Sequence, residues 1–203
     1  MKKIIFLSLF LPTLLFAEVL GLFHPAKRVS RGNTGWGGYF QWIDVNKEDV
    51  LNFVGQVRYG YTTDLEFGAK LGLSRWSNGG SETGIYIGVD GNYGLLARSK
   101  NTPVNLSIDG FFGISSVEDR NVWAIGTTGI LDGKLGLEGG KVLIPYGGFT
   151  ICIYHESWNK HDDTELELAL TGGIMIPISP ALNVVVELLI ADDIGFGFGL
   201  SGF

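Results

Sequence analysis

Beyond its N-terminus the chain has no run of about eighteen apolar residues, which excludes membrane-spanning helices there. It has a single cysteine, Cys152, so no internal disulfide can form even in an oxidising compartment. Basic residues are outnumbered, 15 against 21 acidic ones, and form no stripe, which argues against nucleic acid as a partner. No phosphate-cradling loop is present, because Gly79-Gly80 sits in a polar turn and leads into a strand rather than a helix. No linker, composition break or short exact repeat divides the chain, so a single domain is expected after the leader.

What the sequence has in quantity is glycine, 31 of 203 residues, and an apolar fraction of 45% laid out in alternation. The clearest case runs from Val50 to Trp76. Leu51, Phe53, Val57, Tyr59 and Tyr61 alternate with Asn52, Gln56, Arg58 and Gly60, Val54 being the exception. After Thr62-Thr63-Asp64, Leu65, Phe67, Ala69, Leu71 and Leu73 alternate with Glu66, Gly68, Lys70, Gly72 and Ser74. Strand side chains point to opposite faces with period two, so each arm has one apolar and one polar face. Each arm holds about ten residues, roughly what a tilted strand needs to cross a bilayer.

The same pattern predicts strands over Gly35 to Val45, Thr83 to Ala97, Val104 to Ser116, Tyr146 to Glu156 and Thr164 to Ile176. Two more follow, Leu182 to Ile190 and Ile194 to Phe203. Trp123 to Leu137 reads as one long strand because its alternation continues in phase through Asp132-Gly133-Lys134, although Asp-Gly is itself a hairpin signal. The expected fold is all-β, a closed antiparallel up-and-down transmembrane β-barrel of about ten strands. Merging short arms makes eight, and splitting at Asp132 makes twelve. Closure is required because backbone groups cannot be left unpaired in lipid. Trp76, Trp123 and Trp158 are expected at one membrane interface, and Trp36, Tyr59, Tyr61 and Tyr146 at the other.

Residues 1–17 read as a secretory signal: Lys2 and Lys3, the apolar stretch Ile4 to Phe16, then Ala17 before the cut, with Leu15 large for its position. Residues 18–34, with Lys27, Arg28 and Arg31, are expected to form a periplasmic lead-in. A solvated arm is preferred there to a plug in the lumen. Residues 35–203 form the barrel domain. Two features resemble the small, porin-like bacterial outer-membrane β-barrel proteins. The run Tyr59-Gly60-Tyr61-Thr62-Thr63-Asp64-Leu65-Glu66-Phe67-Gly68 is similar to their periplasmic hairpin pattern Y-G-x-T-x-x-L-E-x-G, and the last strand ends in Phe203. Phe196, Phe198 and Leu200 share a phase that Phe203 leaves, which requires a bulge at Ser201-Gly202. The resemblance implies the outer membrane of a Gram-negative-type envelope, contact with its lipid, and recognition of the last strand by the insertion machinery. It identifies a class and not an activity.

In this register Arg58, Glu66, Lys70, Asp90, Asp109, Asp132, Lys134, Glu138, Glu165, Glu167 and Glu187 face the lumen. A ten-stranded barrel is narrow and largely filled by side chains. One reading is a packed polar core, with Arg58, Lys70 and Lys134 neutralising carboxylates and Arg58 diagonal to Glu66. The other is a narrow channel favouring small cations or solutes, because eight of those eleven residues are acidic. Lumen glycines (Gly68, Gly72, Gly88, Gly94, Gly195, Gly197, Gly199) thin the filling, and they equally serve sheet curvature.

The richest loop is His155 to Asp163, where His155, Glu156, Ser157, His161 and Asp162 offer a weak nucleophile–base–orienter set or divalent-metal ligands. An ordinary solvated loop has the same composition, so no catalytic residue, metal or cofactor is assigned. The connections near Asn46, Ser77, Glu118, Ser157 and Asp192 are too short for a receptor's binding loops. The expected function is a non-enzymatic barrel of structural or narrow-pore type. A rim hydrolase using the His155–Asp163 loop is the alternative, and a soluble lipocalin-like binding barrel, which needs the faces reversed, is a third.

Overall fold

In the hairpin with the clearest alternation, Phe53 lies opposite Leu73 and Gly55 opposite Leu71, while Val54 faces Gly72 and Arg58 faces Gly68. The first pair is exposed, whereas Val54, Gly72, Arg58 and Gly68 are buried. The polar face therefore lines the interior and the apolar face covers the outside. Thr62 makes the turn short, its hydroxyl oxygen accepting from the N–H groups of Asp64 at 3.1 Å and Leu65 at 3.0 Å.

The computed structural model describes residues 23–26, 28–45, 48–77, 82–99, 102–118, 120–158, 161–191 and 194–202. The strands are β1 (Thr34–Val45), β2 (Glu48–Gly60), β3 (Leu65–Trp76), β4 (Glu82–Leu96), β5 (Val104–Val117) and β6 (Arg120–Gly133). They continue with β7 (Leu135–Gly136), β8 (Val142–Trp158), β9 (His161–Ser179), β10 (Leu182–Ile190) and β11 (Ile194–Gly202). Neighbours in sequence pair antiparallel, β1 pairs with β11, and β6 pairs with β8 past the short β7. Ten strands thus close a barrel, and every wall strand is paired on both sides.

Leu71, Ile87, Ile114, Ile151, Leu168 and Phe198 are among the large apolar residues left exposed around the outside, while Gln56, Asn92, Asp109 and Glu187 are buried within. This inversion suits lipid as the outer solvent. It overturns the lipocalin-like alternative, which needs an apolar cavity and a polar exterior.

The structure corrects several expectations. The strand read from Trp123 to Leu137 ends at Gly133, and Leu135 pairs back with Leu143 in a small projecting hairpin. Gly139 and Gly140, with φ of 76° and 75°, make that reversal, a conformation open to glycine. The in-phase leucines there mark an exposed arm, not more wall. Lys134 and Glu138, expected in the lumen, are exposed in this connection. Trp76 and Tyr146, expected at the interfaces, are buried inside at 3% and 6% exposure. Trp36, Tyr59 and Tyr61 are exposed, as expected of an interfacial band. The strands β8 and β9 run so far that His155 pairs with Thr164 and Ser157 with Asp162, so the predicted 155–163 loop is mostly sheet. The signal segment 1–17, Phe203 and the side chains of Trp158 and His161 lie outside the described residues.

Candidate functional site

The segment before β1 enters the barrel rather than staying in solvent. Phe23, His24, Ala26 and Val29 are all at most 3% exposed, so the solvated arm is corrected to an internal plug over these residues. The segment enters where Gly32 N–H donates to the Gly60 carbonyl at 2.7 Å, and the Gly60 N–H donates to the Asn33 carbonyl at 3.1 Å. Arg28 holds the mouth, donating to the Thr63 carbonyl at 3.2 Å. Deeper in, the Val29 N–H donates to Glu66 Oε2 at 2.6 Å, and the Phe23 N–H donates to Glu187 Oε2 at 2.7 Å. Tyr146 O–H donates to that same glutamate oxygen at 2.7 Å. Backbone donors that would be stranded in a low-dielectric interior are thus met by wall carboxylates.

Phe23 also stacks on Tyr39, with ring centroids 4.4 Å apart and planes 17° from parallel. Its seat is made by Gly197, where an added Cβ would meet the Phe23 ring at 2.5 Å. At this point of β11 the missing side chain is room for the plug.

Arg58 is the centre of the wall's electrostatics. It is 1% exposed, its Nε donates to Glu66 Oε1 at 2.9 Å, and an end nitrogen lies 2.7 Å from Asp90 Oδ2. Asp90 is two strands away, and Gly68 lies between them in register, opposite both. A Cβ at Gly68 would meet Asp90 Oδ1 at 2.5 Å, so the bare backbone there lets the ion pair form across it. Glu66 spends one oxygen on Arg58 and the other on Val29, which couples wall to plug.

The remaining lumen candidates separate by environment. Asp109, Asp132, Glu167 and Glu187 are buried, and Lys70 and Glu165 are half-buried. Asn105 donates to Asp132 at 2.6 Å, and Cys152 Sγ lies 3.5 Å from Glu167. Beside Lys70, Asp90 and Asp109 lies a cavity of about 40 Å³, also lined by Tyr86, Thr128 and Thr150. A water needs roughly 10–15 Å³ on this measure, so the space holds about three or four waters.

The opposite mouth is apolar. Ile43, Val50, Trp76 and Val117 pack together at no more than 4% exposure. The Arg120 guanidinium sits 4.3 Å from the Trp76 ring centroid and pairs with Glu156 at 2.5 Å.

That pairing draws one member out of the rim candidates. Glu156 serves Arg120, while His155 is stacked on Trp123 with centroids 5.1 Å apart and has Nδ1 at 2.7 Å from the Thr164 hydroxyl. His155 and Glu156 are adjacent strand residues and point to opposite faces, so they cannot converge on one substrate atom. Ser157, half-buried, shares the face of His155 and lies opposite the exposed Asp162, and His161 contributes no described side chain.

No family model and no curated relative matches the sequence. Solved structures do match. The beta domain of the Bordetella autotransporter Brka superposes with a TM-score of 0.56 at 11% identity, covering 84% of this chain and 99% of that one. The fold is that of the outer-membrane β-barrels. A bacterial polysaccharide outer membrane secretin gives a TM-score of 0.50 at 11% identity, covering 83% of this chain and 64% of that one. At such identities the likeness is one of fold alone. This barrel is filled by Phe23, His24, Ala26 and Val29 of the plug and by the Arg58 network.

Parity along the strands carries the signal for the two buried aromatics. Trp76 is in phase with Ser74 and Gly72, and Tyr146 is out of phase with Phe149 and Ile151, which puts both inside. His24, in the basic lead-in, has no such signal. It belongs to no strand, and its place depends on the closed barrel.

Proposed function

We propose that this protein is a closed structural barrel of the outer membrane, non-enzymatic, with its N-terminal segment held in the lumen as a resident plug. The observation that carries the reading is occlusion. Tyr39, Gln41, Arg58, Asn92, Asp109, Ile130, Thr150 and Val185, contributed from around the wall, are each at most 2% exposed, whereas a water-filled channel would leave its lining accessible. The apolar seal at Trp76 supports closure at the second mouth. In this reading residues 1–17 direct export, lipid surrounds the apolar exterior, and the insertion machinery recognises the last strand. The chain ends of β1 and β11 face the periplasm, as barrels with an even strand number arrange them.

Single-channel recording of refolded protein in a planar bilayer tests this, with heat-dependent gel mobility reporting that the barrel has formed. Wild type is expected to be silent. Discrete cation-preferring steps from the wild type would overturn the closed reading in favour of the narrow pore. Gly197→Leu fills the Phe23 seat and is expected to unseat the plug, producing conductance or channel noise where the wild type gives none.

A further inference from the structure

Among the described residues His24, Asp90 and Asp109 bring ligand atoms within 4.8 Å of one another, and all three residues are buried. His24 comes from the plug, Asp90 from β4 and Asp109 from β5, so the group forms only when the plug is seated. His24 Nδ1 lies 3.2 Å from the Pro25 carbonyl oxygen. A carbonyl only accepts, so Nδ1 carries a proton, which leaves Nε2 as the ring nitrogen open to a further partner. That Nε2 is buried without a hydrogen-bond partner and is aimed at Asp109 Oδ2, 3.7 Å away. Asp109 Oδ1 and Asp90 Oδ1 are likewise buried without a hydrogen bond. Polar atoms buried without partners are costly in a low-dielectric interior, and a cation held between the ring nitrogen and the two carboxylates satisfies all of them.

The surrounding charge points the same way. Among the described residues Glu66, Asp90, Asp109 and Glu187 are four buried carboxylates around the plug, and the cations facing them are Arg58 and Lys70. Carboxylates thus outnumber these two cations around His24. The adjoining cavity, lined by both aspartates, has room for the waters that would complete a coordination shell.

We propose that His24, Asp90 and Asp109 bind one divalent first-row transition-metal ion, which ties the plug to the wall. One imidazole and two carboxylates suit Zn²⁺, Mn²⁺ or Fe²⁺, at metal–ligand distances of about 2.0–2.2 Å. The ion clamps the seated plug and satisfies the buried ligand atoms that lack hydrogen bonds. The Pro25 carbonyl sets the imidazole's tautomer, the usual task of an outer-shell partner.

The test uses the full refolded chain in detergent, titrated with Zn²⁺ by calorimetry and with Co²⁺ by visible absorption. Wild type is expected to bind one equivalent and to show the d–d bands of protein-bound Co²⁺. His24→Ala and Asp109→Asn are expected to weaken binding by more than the roughly 10–100-fold that loss of an outer-shell partner costs. His155→Ala, on the exterior face, is expected to bind as wild type does. If Asp109→Asn fails to give the heat-modifiable barrel, His24→Ala and His24→Gln decide alone, because His24 is not part of the wall. The proposal is overturned if folded wild type takes up neither metal, which would make the pair a simple His24 imidazolium–Asp109 bridge. It is equally overturned if the His24 variants bind as tightly as wild type. Neither result bears on the conductance experiment, so the two readings fail separately.

Discussion

Arg58→Ala is expected to destabilise the barrel by about 3–5 kcal/mol, measured by urea unfolding in lipid vesicles. The size follows from what remains, because Glu66 and Asp90 stay buried with their shared cation gone. Arg58→Lys is expected to recover only part of the loss. A guanidinium reaches both carboxylates from one planar fork, whereas an ammonium on a flexible stem is a point charge. Adding Glu66→Gln and Asp90→Asn to Arg58→Ala should restore much of the stability, since it removes the orphaned charges. A loss below about 1 kcal/mol for Arg58→Ala would mean that water reaches the cluster, as it does at exposed ion pairs. The occluded lumen would then be untenable.

Leu71→Arg is expected to cost about 2–4 kcal/mol, or to block insertion, because it places a charge on the lipid face. Leu71 is 62% exposed, opposite Gly55 on β2 and Ile87 on β4. Gly72→Arg, one residue along, changes face. A Cβ at Gly72 would meet the Phe53 carbonyl oxygen at 2.9 Å and Val54 Cγ2 at 3.0 Å, so its cost comes from crowding inside the barrel. Thinning the bilayer should relieve Leu71→Arg by bringing water closer, and it should leave Gly72→Arg unchanged. Equal relief of both would show that the assigned facing is wrong.

The alternation that places Leu71 outside and Gly72 inside is legible in the residues themselves. So is the diagonal Arg58–Glu66 pair, because the turn at Thr62–Asp64 sets the register that brings the two together. The same parity puts Trp76 and Tyr146 inside, against the general preference of aromatics for interfaces. Position in phase is the stronger constraint, since an aromatic on the lumen phase cannot reach lipid without a bulge. At Asp132-Gly133-Lys134 the local hairpin signal is the better guide than continued phase, because two leucines on a short exposed arm keep the period by chance.

For the candidate site less is readable. Arg58, Glu66, Asp90 and Asp109 are recognisable as lumen residues one at a time. That Asp90 meets Arg58 across Gly68 depends on which strands are neighbours and in what register. At the rim, composition alone left the faces open. The candidates' composition suggests convergence; strand parity sends His155 and Glu156 to opposite faces, and pairing of β8 with β9 sets Asp162 beside Ser157 on the face of His155.

The sequence by itself determined the class of fold, the inside and outside of each strand and the acidic character of the interior. These follow from a period of two and from the rule that buried backbone must be paired. Only the tertiary structure decided that Phe23, His24, Ala26 and Val29 lie in the lumen and that His24 comes beside Asp90 and Asp109. Those contacts join a stretch without periodicity to strands up to 164 residues away, as in the Phe23–Glu187 bond. Nothing local encodes such a pairing. It exists because a closed wall, relieved by glycine at Gly68 and Gly197, leaves a space of one shape with carboxylates waiting in it.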